Sequence, residues 1–187
     1  MADSETWDQR YLEASPGGDP LQVLKDHSRL LPERGLALDL ACGVGANAIF
    51  LAQRGLNVSA WDFSAVAIEK LQRKAALDGL DIKAQVRNLV AEPPAPQSFN
   101  VIVVGRFLQR EIVPQISTAL RPGGVLFYQT FSRCAGLNRG PSNPDYRLAV
   151  NELLDLFSDL QVRFYLEGTD ADAAMTESML VATKGHL

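Results

Sequence analysis

Apolar residues along this chain fall into short continuous runs separated by stretches of helical spacing. Leu36-Ala37-Leu38-Asp39-Leu40-Ala41 reads as a strand buried on both faces, and Cys42-Gly43-Val44-Gly45 breaks it before a helical run from about Ala46 to Arg54. The unit repeats: Asn57 to Trp61 predicts a strand, and Ser64 to Asp78 a helix with Ser64 as its N-cap and Gly79 closing it. Asp81 to Val86 predicts a third strand and Phe99 to Val104 a fourth. A helix over residues 112 to 120 tolerates Pro114 because it falls in the first turn. Pro122-Gly123-Gly124 predicts a tight turn into the strand Val125 to Thr130, followed by a Gly-, Pro-, Ser- and Asn-rich loop over 132 to 145. A helix at Leu148 to Phe157 and strands at Gln161 to Glu167 and Glu177 to Thr183 complete the series. Ahead of the first strand, Leu21, Leu24, Leu30 and Leu31 predict a helix over 20 to 31, ended by Pro32 and Gly35, with the turn-rich Ser15 to Pro20 before it. The alternation predicts a three-layer αβα sandwich on a mainly parallel seven-stranded sheet, the last two strands supplying an antiparallel edge.

Composition narrows this further. The 187 residues fit one domain, 1–187, and 47% hydrophobic with 21% charged residues is ordinary for a chain with a sizeable core. A net charge of -4 argues against a general nucleic-acid binder, which needs a basic field against phosphates. Cys42 and Cys134 lie far apart without CxxC spacing, and His27 and His186 share no ligand spacing, so no disulfide framework and no metal site is expected. The polar residues Met1 to Arg10 lack a signal core and no run reaches membrane-spanning length, so the expectation is a cytoplasmic protein without a membrane partner, monomer or homodimer.

The chemistry sits at the first strand-to-helix link. Glycines stand where the backbone leaves a buried strand, which permits a sharp bend and lets the main chain approach a ligand closely, while free amides at the helix start favour a carboxylate or phosphate. Gly43-Val44-Gly45-Ala46-Asn47-Ala48 also satisfies the G-x-G-x-x-A dinucleotide pattern of a Rossmann-like fold, and Asp62 at the end of the second strand suits ribose hydroxyls in either case. The residues alone leave a nicotinamide dinucleotide and an adenosyl sulfonium both open.

Leu38-Asp39-Leu40-Ala41-Cys42-Gly43-Val44-Gly45-Ala46-Asn47 and Ala60-Trp61-Asp62-Phe63-Ser64 resemble the class I S-adenosylmethionine-dependent methyltransferases, and within them the tellurite-resistance-type branch. The resemblance implies a Rossmann-like domain, S-adenosylmethionine as cofactor and S-adenosylhomocysteine as product. It implies that Asp39 helps hold the methionine amino end, that the loop from Ala41 through Gly43 and Gly45 to Asn47 meets the methionine part, and that Asp62 takes the ribose hydroxyls. Phe63 then packs near the adenine, whose edge is received at Asn88 and Leu89; the family commonly has Asp at the position of Asn88. Gly105-Arg106-Phe107 matches where members close around the methyl-donating end, and Leu120-Arg121-Pro122-Gly123-Gly124 matches a turn found across the family. Trp7-Asp8-Gln9-Arg10-Tyr11 is similar to an N-terminal segment that folds over the cofactor, with Tyr11 as the contact and residues 1–19 as the cover; the competing reading is a surface stretch with two packed aromatics.

Methyl transfer from a sulfonium is an in-line displacement, so alignment and exclusion of water suffice without a covalent residue. Arg106, Arg110, Arg133, Arg139 and Arg147 fall in the segments expected at the crevice, which suggests a small anionic acceptor, an oxyanion such as tellurite included, against solvated loop arginines as the alternative. Residues 132–147 are the expected acceptor-site loop. Tyr128 and Arg106 are the candidate catalytic residues, Tyr128 in a positioning role because a phenol of pKa about 10 is a poor base at neutral pH. The rival functions are an NAD-dependent oxidoreductase and a non-catalytic S-adenosylmethionine-binding module; a small-molecule acceptor is the expected partner and nucleic acid is not.

Overall fold

Seven strands form one sheet in the order β3-β2-β1-β4-β5-β7-β6 in the computed structural model, which describes residues 4–133, 140–168 and 176–185. They are β1 (Leu36–Leu40), β2 (Asn57–Asp62), β3 (Ile82–Val86), β4 (Phe99–Gly105), β5 (Leu120–Phe131), β6 (Gln161–Leu166) and β7 (Glu177–Thr183). β1 to β5 pair in parallel, and β7 runs antiparallel between β5 and the outermost β6. The predicted antiparallel strand at this edge is therefore β7, one place in from the rim. β1 and β4 are neighbours whose chains continue to opposite sides of the sheet, and such a reversal opens a crevice at the carboxyl ends of both strands.

Side-chain alternation sorts the core into two layers. Ala37, Val58, Ala60, Val101, Val103, Phe127 and Val181 point to one face, under α2 (Gln22–Asp26), α3 (Ala46–Ala52) and α4 (Ala65–Leu77). Leu38, Leu40, Ile102, Val104, Leu126, Tyr128 and Leu180 point to the other, under α5 (Val113–Ala119) and α6 (Glu152–Leu156). Ser64 caps α4 as predicted, accepting from the amide of Ala67 at 3.1 Å.

Four elements differ from expectation. Ser4–Leu12 is a helix, α1, packed against α4. The helix expected over 20 to 31 is short: α2 ends at His27, whose ring packs 4.2 Å from that of Phe164, and the chain tightens into a 3-10 turn at Ser28–Leu30. The helix expected from Leu148 starts only at Glu152, because Asn151 adopts a left-handed φ of 61°. Pro122-Gly123-Gly124 is a bulge inside the continuous β5: register to β4 jumps between Phe99↔Leu120 and Val101↔Val125, while Gly123 and Gly124 keep their backbone bonds to Lys184. Among the described residues no helix is long and apolar enough to cross a membrane.

Candidate cofactor and acceptor site

The bend after β1 is held by backbone conformations that side chains resist. Ala41, Gly43 and Gly45 have φ of 57°, 51° and 86°. A Cβ on Gly45 would come within 2.2 Å of Leu71 Cδ1, so a bare residue is required where α3 begins against α4. Two buried carboxylates brace the bend. Asp39, wholly buried in β1, accepts from the amide of Ala48 at 2.9 Å and from Asn47 Nδ2 at 3.3 Å. Asp62, at the end of β2, accepts from the amide of Gly43 at 2.8 Å and from that of Ser64 at 2.9 Å. Burial pushes the Asp39 carboxyl up to about 7 and raises Asp62 as well. Among the described residues neither forms an ion pair, so each retains lone pairs and a field that favours a cation or hydroxyl donors.

Asn47 is spent internally: besides its bond to Asp39, its Oδ1 accepts from the amide of Leu21 at 2.9 Å. Tyr11, on α1, covers the bend; a Cβ on Gly43 would lie 2.9 Å from its hydroxyl. Burial, then the Asp62 charge, raises the Tyr11 phenol. The helix is pinned by Asp8, which accepts from the Ser64 hydroxyl and from the amide of Val66 at 3.3 Å. Phe63 follows Asp62 and is 39% exposed, open to a flat partner. Leu89 is buried, while the Asn88 oxygen accepts from the amides of Val90 and Ala91 at 3.1 and 3.2 Å; what Asn88 has left to offer are its two amide hydrogens. A Cβ on Gly105 would meet Leu21 Cδ1 at 3.0 Å, so its bareness admits the start of α2.

At the exits of β4 and β5 the arginines are engaged. Arg106, with φ of 51°, donates its amide to the Gln129 carbonyl at 2.8 Å and its Nε to Glu177 Oε1 at 2.7 Å. Gln129 donates to Glu177 Oε2 at 2.5 Å and accepts from the amide of Val23 at 3.0 Å. Arg110 makes a bidentate pair with Glu152 at 2.5 and 3.0 Å and donates to the carbonyls of Asp145 at 2.6 Å and Arg147 at 3.1 Å. Arg133 donates to the Pro144 carbonyl at 3.2 Å, and Arg147, buried, donates to those of Pro141 and Ser132 at 2.7 and 3.1 Å. Arg139 and Cys134 lie outside the described residues. Tyr128 is buried, its hydroxyl donating to the Phe107 carbonyl at 2.7 Å, and burial raises its phenol further from any use as a base.

The counter-charges Glu152 and Glu177, and the α1 contacts of Asp8 and Lys70, were absent from the sequence reading. Glu177 had a usable signal: it opens a strand expected to run antiparallel, and that register sets it opposite Phe131 at the end of β5.

Residues 37–124 match the methyltransferase domain family. The chain is 30% identical over 139 residues to a ubiquinone biosynthesis O-methyltransferase of Pseudomonas entomophila, covering 68% of this chain and 58% of that protein. It spans at most 58% of the length of the curated relatives it matches. In fold it is similar to TehB from Haemophilus influenzae, with a TM-score of 0.72 and 21% identity over 87% of this chain and 61% of that one. It is similar also to a SAM-dependent methyltransferase from Methanosarcina mazei, with a TM-score of 0.71 and 19% identity over 91% of this chain and 100% of the other. Residues 37–124 thus resemble a methyltransferase domain, and the fold is shared with solved S-adenosylmethionine-dependent methyltransferases.

Proposed function

We propose that this chain, a class I methyltransferase domain by its matched segment and its fold, transfers a methyl group from S-adenosylmethionine to a small-molecule acceptor. The observation that carries the reading is the bare, left-handed bend braced by Asp39 and Asp62 and covered by Tyr11. Asp62 suits the ribose hydroxyls of either cofactor, while the buried Asp39 beneath the bend, without a cationic partner among the described residues, suits an ammonium group and a sulfonium and opposes a pyrophosphate there. When bound, the cofactor supplies an electrophilic methyl group on a positively charged sulfur.

The residues then divide the labour. Asp62 accepts from ribose hydroxyls, and the Asp39 carboxylate favours the ammonium end electrostatically while bracing the bend from Ala41 to Asn47. Phe63, Leu89 and the amide hydrogens of Asn88 frame the adenine. Gly105 and Tyr11 close the sulfur side, with the described residues 4–19 of the N-terminal segment as its cover. No proton acceptor is assigned: Tyr128 holds the loop after β4 through Phe107, and the rate arises from alignment and exclusion of water.

On the acceptor side, the described parts of the expected acceptor loop, residues 132–133 and 140–147, are assigned to one wall of the mouth. An anionic acceptor, with tellurite as a member of the class, has to share Arg106 with Glu177 and Arg110 with Glu152. The side chain of Arg106 is 58% exposed, and among the described residues only its Nε is bonded, so Arg106 is the arginine assigned to acceptor contact; Arg110 holds the loop. Isothermal titration of the purified chain with S-adenosylmethionine, S-adenosylhomocysteine and NAD tests the core of the reading. Saturable binding of the first two and none of NAD is expected; binding of NAD alone replaces it with a dehydrogenase. A product screen by mass spectrometry over catechols, thiols, carboxylates and tellurite then identifies the acceptor class, and binding without any methylated product leaves a sensing module.

A further inference from the structure

Lys70 lies on α4, nearly two turns beyond the Ser64 cap, and its ammonium gathers the end of α1. It donates to the carbonyls of Tyr11 at 2.7 Å, Leu12 at 2.6 Å and Ala14 at 2.8 Å. The last carbonyls of a helix have no partner within it, and a cation there satisfies them and opposes the negative end of the helix dipole. A three-carbonyl grip uses every donor an ammonium possesses, so this lysine has no second task in the fold. The residue it fixes most directly is Tyr11, whose hydroxyl sits over Gly43 and whose ring stacks on Trp7 at 6.1 Å. One turn earlier, at the middle of the same helix, Asp8 is held by Ser64 and Val66. The helix is thus fastened at two points to α4, with Tyr11 between the fastening and the glycine bend.

A nine-residue helix of this kind is marginal alone, so its position is decided by such contacts. We infer that Lys70 is a positioning residue for the cofactor: by holding the carboxyl end of α1 it keeps Tyr11 on the glycine bend, and so sets how long the cofactor stays without touching it. This rests on the reading of the bend as the S-adenosylmethionine site.

The test uses the full chain and S-adenosylhomocysteine as probe, with dissociation followed by stopped-flow and affinity by calorimetry. Lys70→Met is expected to speed dissociation about tenfold, as loss of one net charge-assisted contact does, with the association rate changed far less. Lys70→Arg, which can still donate to several carbonyls, is expected to restore most of the residence time. Hydrogen exchange in residues 6–14 should quicken in K70M, while circular dichroism and melting confirm that the variant is folded. If Lys70 acts through Tyr11, the double variant K70M/Y11A should lose no more residence time than Y11A alone. Wild-type dissociation from folded K70M, or losses that add in the double variant, overturns the inference. Absence of probe binding to the unaltered chain overturns instead the cofactor reading beneath it.

Discussion

Asp39 makes the strongest demand on solution behaviour. Its carboxyl has no exposed surface, and burial pushes it up to about 7 from an ordinary 3.8, against the two hydrogen bonds it accepts from Asn47 and Ala48 and with some help from the Asp62 charge. Between those two values the folded protein keeps a proton that the unfolded chain has already released. Stability therefore falls as pH rises through this window, by up to about 1.4 kcal/mol per pH unit, and levels off above the folded value. From pH 5 to pH 7 the loss is about 2–3 kcal/mol, or roughly 5–10 °C in Tm for a chain of this length. Asp62 is raised too and acts with the same sign. Glu152, lowered by Arg110, acts with the opposite sign but only below its ordinary 4.5, under the pH 5 to 7 range.

Asp39→Asn isolates this contribution. The amide oxygen can accept one of the two bonds, and its NH2 then opposes the other donor, which costs about 1–3 kcal/mol. The variant should be less stable than the parent at pH 5, with the gap closing or reversing by pH 7 because only the parent carries the growing penalty of a buried charge. Urea unfolding at pH 5, 6 and 7, read by tryptophan fluorescence, measures both slopes. Parallel decline of the two proteins, or a parent that gains stability with pH, would refute the account of Asp39.

Gly45→Ala is expected to cost about 2–5 kcal/mol in urea unfolding, from the left-handed φ and the collision with Leu71 together; adding Leu71→Ala should return the collision share and leave the φ share. Tyr128→Phe should lose about 1 kcal/mol of stability and leave the pH profile of methyl transfer unchanged, since the hydroxyl serves the Phe107 carbonyl. Arg110→Met should lower acceptor turnover about tenfold or more and hasten hydrogen exchange over residues 141–149, with S-adenosylhomocysteine affinity intact. Because Asp39 and Asp62 favour a cation when ionised, affinity for S-adenosylmethionine should rise between pH 5.5 and 7.5 more than that for uncharged-sulfur S-adenosylhomocysteine, with proton release visible in calorimetry across buffers.

The periodic parts of the fold were readable because local pattern and tertiary demand agree there: the buried runs became β1, β2 and β4, and Ser64 capped α4. Elsewhere a distant contact decided the outcome. α1 is polar and short, and its helicity depends on Asp8 and Lys70 meeting α4 some 56 to 59 residues away. Asn151 in a left-handed conformation delays α6, which no apolar spacing could reveal. The arginine cluster was visible but its charge was not, because the glutamates that offset it are 71 and 42 residues further along the chain. A count of one sign of charge in two loops overlooks the strand and helix that the sheet brings beside them.

What joins the two halves of the crevice is the segment before β1. Gly17 donates to the Val44 carbonyl in the glycine bend, Leu21 to Asn47, and Val23 to Gln129. Asn47 continues to Asp39, and Gln129 to Glu177 and Arg106. The carboxylate assigned to the cofactor and the arginine assigned to the acceptor are thus the two ends of one hydrogen-bonded path that crosses the start of α2. For a reaction that gains its rate from in-line approach, such a path has a direct use: it fixes donor side against acceptor side before either ligand arrives, so that little ordering entropy is left to be lost at the moment of transfer.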